Sequence, residues 1–320
     1  MNILTVSKLG KEFNGETLFK HISFDINSTD KTAIIGKNGT GKSTLIKMIL
    51  GEESIDEGDV YKNNKATIGY LSQDVISKSD NTLIDEMLEV FAEVIYLEQR
   101  LHDISLQLKE YPNDQDLLDV YAKIEDSYMN KGGYEYHFKI NLILTKFGFK
   151  KEEYGRLIST FSGGEKTRVA FSKLLLINPE LLILDEPTNH LDINIIEWLE
   201  DYLNKYSGAV LIVTHDKYFI NKVCKKIIEI DQETAHIYTG SYEVYEQEKV
   251  KRYEVMLKHY KKQQKEISHL QSFVDRFRYN SKRASIAQDR MKKINRMVKL
   301  DRPTISKRKV KMKFEEKRAT

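Results

Sequence analysis

Short apolar runs alternate with helix-spaced apolar positions through most of the chain. Ile3-Leu4-Thr5-Val6 and Ile22-Ser23-Phe24-Asp25-Ile26 read as strands, the second with clean period-two alternation. Thr32-Ala33-Ile34-Ile35 is an apolar run that stops at Gly36, and a helix follows with Leu45, Ile46 and Ile49 on its apolar face. Leu181 to Leu184 and Ala209 to Val213 are further runs, short and bounded like buried parallel strands. Strands alternating with helices predict an α/β sheet covered by helices.

Two segments follow another rhythm. Leu97, Leu101, Ile104 and Leu108 repeat at helical spacing, Tyr111-Pro112-Asn113-Asp114 breaks the pattern, and Leu118, Tyr121, Ile124 and Tyr128 resume it. The spacing predicts a helical hairpin inserted over about 83–130; an ordinary helical subdomain without a partner fits the same pattern. From about Lys249, Val250, Tyr253, Leu257 and Tyr260, then Ile267, Leu270, Phe273, Val274 and Phe277, predict a long helix followed by a basic hairpin. Lys309 to Phe314 alternates like the opening strand of another sheet element.

Charge sharpens the contrast between these parts. Residues 249–320 carry 24 Lys+Arg against 7 Asp+Glu, a net +17, while the other 27 basic and 41 acidic residues leave −14. A solvated tail accounts for this blandly; a polyanion contact, nucleic acid ahead of membrane, accounts for it better. Cys224 is the one cysteine, which excludes an internal disulfide and fits a reducing compartment. There is no signal-like start and no run of about 18 apolar residues. The expectation is a soluble, cytoplasmic protein without a transmembrane segment of its own.

Three motifs carry chemistry. Gly36-Lys37-Asn38-Gly39-Thr40-Gly41-Lys42-Ser43 fits GxxxxGK[ST] between a predicted strand and helix. Glycines let backbone N–H groups converge on phosphate oxygens, and the helix start adds positive potential. Lys42 would reach the β- and γ-phosphates of ATP, and the Ser43 hydroxyl would ligate Mg²⁺. Gly36, Asn38, Gly39, Gly41, Lys42, Ser43 and Thr44 are therefore candidate ATP-binding residues. Leu181–Leu184 delivers Asp185 and Glu186 at a strand end, the first suited to Mg²⁺, the second to polarising water as general base. Phe161-Ser162-Gly163-Gly164-Glu165 opens an amphipathic helix with an N-cap and two side-chain-free amides, which suits phosphate contact.

In this order the motifs resemble the nucleotide-binding domain of ATP-binding-cassette proteins over most of residues 1–248. The resemblance implies further roles: Gln73 senses Mg²⁺ and the attacking water, His215 contacts the γ-phosphate, and Phe13 stacks on adenine. It also implies that Asp192 couples two cassettes, and that Ser162, Gly163 and Gly164 serve ATP held by a facing cassette. Recombination or helicase-type ATPases lack the Ser162-Gly163-Gly164 element, and cohesin-like ATPases need a far longer insert.

Asp185-Glu186-Pro187-Thr188-Asn189-His190-Leu191-Asp192, Thr214-His215-Asp216-Lys217-Tyr218-Phe219 with the later Tyr238–Tyr245, the helical insert and the basic tail together resemble the ABC-F subfamily. That resemblance implies an ATP-gated switch on the ribosome, its rRNA and tRNA, as a translation factor or a factor protecting ribosomes from antibiotics. It makes 249–305 a linker reaching RNA, with Arg276, Arg278, Lys282, Arg283, Arg290, Lys292 and Lys293 as candidate contacts; Asp289 departs from the small polar residue of the pattern. One phosphate loop and one signature are present, where the subfamily carries two. The expectation is an N-terminal half, with 306–320 opening a truncated second cassette, and full activity needing a second cassette from the same chain or a homodimer. The alternative is the ATPase subunit of a membrane transporter.

Overall fold

The computed structural model describes residues 1–13, 15–71, 80–189, 191–231, 233–279 and 283–303. The chain divides into two compact units, Met1–Tyr242 and Glu243–Thr320.

Two sheets build the first unit. In the smaller, β1 (Asn2–Phe13) runs antiparallel between β2 (Glu16–Asn27) and β4 (Glu57–Lys62). The alternation of β2 buries Ile22, Phe24 and Ile26 and slips at His21, whose φ of 55° lets Phe19 regain the buried face. In the larger, β5 (Ile68–Leu71), β6 (Leu181–Asp185), β7 (Ala209–Val213), β3 (Lys31–Gly36) and β8 (Lys226–Asp231) are parallel in that order. β9 (Thr234–Thr239) closes this sheet antiparallel to β8. Every residue of β7 is buried, which explains its unbroken apolar run. Leu45, Ile46 and Ile49 of α1 (Lys42–Leu50) share one core cluster with Ile34, Leu211 and Ile228. Each such side chain contributes about 1.5–3 kcal/mol by burial.

A helical subdomain separates β5 from β6: α2 (Leu83–Leu88), α3 (Ala92–Glu110), α4 (Gln115–Asn130), α5 (Tyr136–Lys146) and α6 (Gly163–Ile177). α3 and α4 pair as a hairpin, and the helices continue through α6, past the 83–130 expected for the insert. The hairpin turn is set by Asp114, which accepts the N–H groups of Asp116 and Leu117 at 3.0 and 3.1 Å and so caps α4. Leu118 is exposed, and the apolar face is completed by Leu117 instead. Glu98 clasps the hairpin base, accepting the hydroxyls of Tyr128 at 3.3 Å and Tyr136 at 2.7 Å. The base is tied to α6 by Lys173, which pairs with buried Glu86 at 2.5 Å and with Glu89 at 2.8 Å.

α7 (Ile193–Lys205) joins β6 to β7, and α8 (Lys217–Val223) joins β7 to β8. α9 (Tyr242–Phe277) and α10 (Ala284–Arg296) follow. The long helix expected from about Lys249 begins earlier, at Tyr242, because no glycine or proline falls between Gly240 and Phe277. The strand expected over Lys309 to Phe314 lies outside the described residues.

Candidate functional site

Parallel register brings the predicted chemistry together. Val213 pairs with Asp185 on one side and Ile34 on the other, so the carboxyl ends of β6, β7 and β3 finish side by side. Ligands bind at such ends in open α/β sheets. A cleft of about 620 Å³ opens there, lined by the loop residues Asn38, Gly39, Gly41, Lys42, Ser43 and Thr44, by Asp185, Glu186 and His215, and by Phe13. Leu18, Asn189 and Val213 complete it. Gly36 ends β3 beneath the loop.

The phosphate loop is built around Gly41. Its φ of 86° belongs to the left-handed region, and a Cβ would fall 2.6 Å from Leu18 Cδ2 and 2.7 Å from Phe19 Cε1. α1 therefore starts without a side-chain cap, and no acid stands in its first turn. Lys42 is 9% exposed, and its Nζ donates to Gly36 O at 3.1 Å and Lys37 O at 3.0 Å. Burial lowers its pKa from the ordinary lysine value, against the pull of Glu186 and Asp185. Ser43 Oγ donates to Asp185 Oδ2 at 3.1 Å. A hydroxyl and a carboxylate so close form the hard oxygen set that Mg²⁺ prefers.

Glu186 sits just past β6 with φ of 47°, a left-handed conformation uncommon for a non-glycine residue. Its N–H donates to Val213 O at 2.7 Å and its carbonyl accepts from Asn189 N at 3.1 Å, which holds the turn. Its Oε1 lies 3.6 Å from His215 Nε2. His215 is half exposed in the turn from β7 to α8, whose N-cap is Asp216.

Ser162, Gly163, Gly164 and Asp192 do not line this cleft. Ser162 caps α6: its backbone N–H donates to Glu165 Oε2 at 2.7 Å, and its Oγ accepts from Glu165 N at 3.4 Å. Nothing lies within 4 Å of a Cβ built at Gly163 or Gly164, so that surface is open. Arg156, absent from any motif, holds the other Glu165 oxygen at 3.2 Å and also binds Thr160 O at 2.8 Å. Asp192 is the exposed N-cap of α7 and makes no side-chain capping bond. Gln73, His190 and Lys282 lie outside the described residues.

A sequence family described as ABC transporter matches residues 19–189, just over half of the chain. The chain belongs to the ABC transporter family of ATP-binding cassettes. A second ABC transporter description covers residues 228–314. The cassette is 38% identical over 305 residues to the Bacillus subtilis ATP-binding protein YdiF, covering 95% of this chain and 48% of that one. It is 31% identical over 318 residues to ABC transporter F family member 2 of Arabidopsis thaliana, covering 97% and 47%. It thus spans about half the length of these relatives. Its fold matches the ATP-binding subunit of an ABC transporter with a TM-score of 0.55 at 20% identity, over 74% of this chain and 90% of that one. Cassettes of this family bind ATP, typically with Mg²⁺, hydrolyse it, and work with a second cassette. The loop, the Ser43–Asp185 pair and the cleft volume fit that ligand.

In the second unit the predicted RNA contacts divide in two. Arg290 stands 3.5 Å over the ring of Phe273, Arg283 lies 4.7 Å over Phe277, and those two rings are 4.7 Å apart. These cations hold the α9–α10 hairpin together by cation–π contact. Lys293 reaches Glu266 at 2.8 Å and remains largely exposed. Arg276, Arg278 and Lys292 are also exposed, and Lys292, Lys293 and Arg296 line a cationic hollow with Asp289 and Met297. Sequence reading found the basic and aromatic composition but not which cations face rings, since that pairing is set by the fold of the hairpin.

Proposed function

We propose that this chain is an ABC-F type cassette, an ATP-gated switch acting on the ribosome and tRNA as a translation factor or as a factor protecting ribosomes from antibiotics. The observation that carries it is charge: +17 on residues 249–320 against −14 on the rest. The described part of that segment presents Arg276, Arg278, Lys292 and Lys293 to solvent. Dense phosphate surfaces such as rRNA and tRNA suit such a face. The F family name of the Arabidopsis relative supports it.

In this reading 1–248 is the cassette with its arm at about 83–130, 249–305 is the linker, and 306–320 opens a second cassette. Lys42 and the loop amides hold the phosphates, Ser43 and Asp185 would hold Mg²⁺, which neutralises phosphate charge when bound, and the family resemblance assigns Gln73 to the same ion. Glu186 takes the proton of the attacking water, and His215 beside it holds the terminal phosphate. Phe13 stacks on adenine. Ser162, Gly163, Gly164 and Asp192 serve the ATP of a second cassette, from the same protein or another copy. ATP closes the pair and sets the linker against RNA; hydrolysis releases it.

Glu186→Gln is expected to slow hydrolysis by about 10²–10⁴-fold while ATP stays bound. Full-length Glu186→Gln protein should then pellet with ribosomes only when ATP is present. Loss of ATP-dependent co-sedimentation would sink the ribosome reading. The family's transporter role is the competing reading. It predicts co-purification with a membrane subunit and no salt-sensitive RNA binding by residues 249–320, whereas the ribosomal reading predicts such binding and its loss when Arg276, Arg278, Lys282 and Arg283 are neutralised.

A further inference from the structure

One buried ammonium near the cleft takes no part in the chemistry above. Lys11 stands on β1 two residues before Phe13, with 5% of its side chain exposed. Its Nζ donates to Ser54 O at 3.0 Å and Ser54 Oγ at 2.9 Å, and pairs with Glu53 Oε1 at 3.1 Å and Asp56 Oδ1 at 3.2 Å. The second Asp56 oxygen accepts the backbone N–H of Glu12 at 2.9 Å. The same Nζ stands 5.1 Å from the centre of the Phe13 ring.

This arrangement has two effects on Phe13. Phe13 is the last residue of β1, paired with Glu16 at the start of β2, and its side chain is 45% exposed. Lys11 and Asp56 tie this strand end, fixing the residues on the N-terminal side of Phe13 to the turn before β4. An ammonium over an aromatic face is also held by the ring quadrupole, which restrains the ring from rotating. Lys11 stands over the ring, and Phe13 remains exposed. Phe13 lines the cleft in which Lys42 and Ser43 stand.

We propose that Lys11 is a positioning residue for the nucleobase: it fixes the Phe13 ring as a stacking platform and so contributes to affinity for the base of the nucleotide, not for its phosphates. This rests on the reading of the cleft as an ATP site. Two ligands separate the contributions. ATP offers base and phosphates; inorganic tripolyphosphate offers phosphates alone.

The test is calorimetric titration of the whole chain with Mg²⁺-ATP and with Mg²⁺-tripolyphosphate. Lys11→Met should weaken ATP about fivefold and leave tripolyphosphate unchanged. Lys11→Arg should restore most of the loss, and Lys11→Met should add nothing on a Phe13→Leu background. Equal weakening of both ligands, no change in either, or a full additional loss on Phe13→Leu would overturn the proposal. If Lys11→Met does not fold because Glu53 and Asp56 lose their counter-ion, Lys11→Met/Glu53→Gln/Asp56→Asn removes the charges together and takes its place, with the same outcomes expected. Failure of the underlying reading looks different: the unaltered chain would bind neither ligand.

Discussion

Two helix starts in the first unit carry glycine-rich turns, and they solve the problem of unpaired amides in opposite ways. α1 begins after Gly41 with no side-chain cap and no acid in its first turn. α6 begins with Ser162 and Glu165 closing a capping box, and Arg156 holds the outer oxygen of that carboxylate. The first four N–H groups of any helix need partners. α6 supplies some of its own; α1 leaves them to a ligand, with the buried ammonium of Lys42 beside them. The difference teaches that a glycine-rich turn before a helix is not one device. Its meaning depends on whether the third helical residue is Thr44 or Glu165.

Giving α1 the acid of α6 should break the comparison most sharply. Thr44→Glu should weaken ATP binding by on the order of a hundredfold, measured by fluorescent-nucleotide titration, while the melting temperature of the ligand-free chain holds or rises. An unchanged affinity would mean that the α1 start does not face phosphate. Next in size is Gly41→Ala, which combines a left-handed φ with contacts under 3 Å to Leu18 and Phe19. It should cost about 2–4 kcal/mol in urea denaturation. Ser162→Ala should cost about 1 kcal/mol, because α6 has a cap to lose where α1 has none.

The smallest effects separate the two starts along the pH axis. The Ser162 backbone N–H, then its hydroxyl, hold the Glu165 carboxyl below the usual carboxylate range, with Arg156 adding to the shift. A depressed acid stabilises the fold above its unfolded pKa, and that contribution fades as pH falls through the folded value. Melting curves of Glu165→Gln and the unaltered chain should therefore converge as pH falls below the ordinary value of 4.5. Burial depresses Lys42 instead, so the unfolded chain holds its proton longer. Stability should rise with pH between the lowered value and 10.5, and Lys42→Met should reduce that rise, with buried Lys31, lowered to about 8, supplying a rise of the same sign.

What the sequence disclosed follows from distance along the chain. The phosphate loop, Asp185-Glu186 and His215 are short motifs at strand ends, and parallel pairing of β6, β7 and β3 then assembles them automatically. Leu18 was not legible as a wall of the cleft, because only the approach of β2 to Gly41 brings it there. Lys11 carries no signal in the sequence, since its partners lie more than 40 residues away. Arg156 fell in a stretch without periodicity. Arg290 is a candidate RNA contact by sequence, and only the hairpin sets it over Phe273.

The ion pair of Lys173 with Glu86 and Glu89 sets a gearing ratio. It fastens α6 to the foot of a hairpin whose first helix, α3, has 19 residues and is therefore about 28 Å long. A rotation of α6 by about 5° about that foot carries the tip of α3 through roughly 2.5 Å. A small movement of α6, carried rigidly through that foot, would become a displacement of atomic width at the far end of the hairpin.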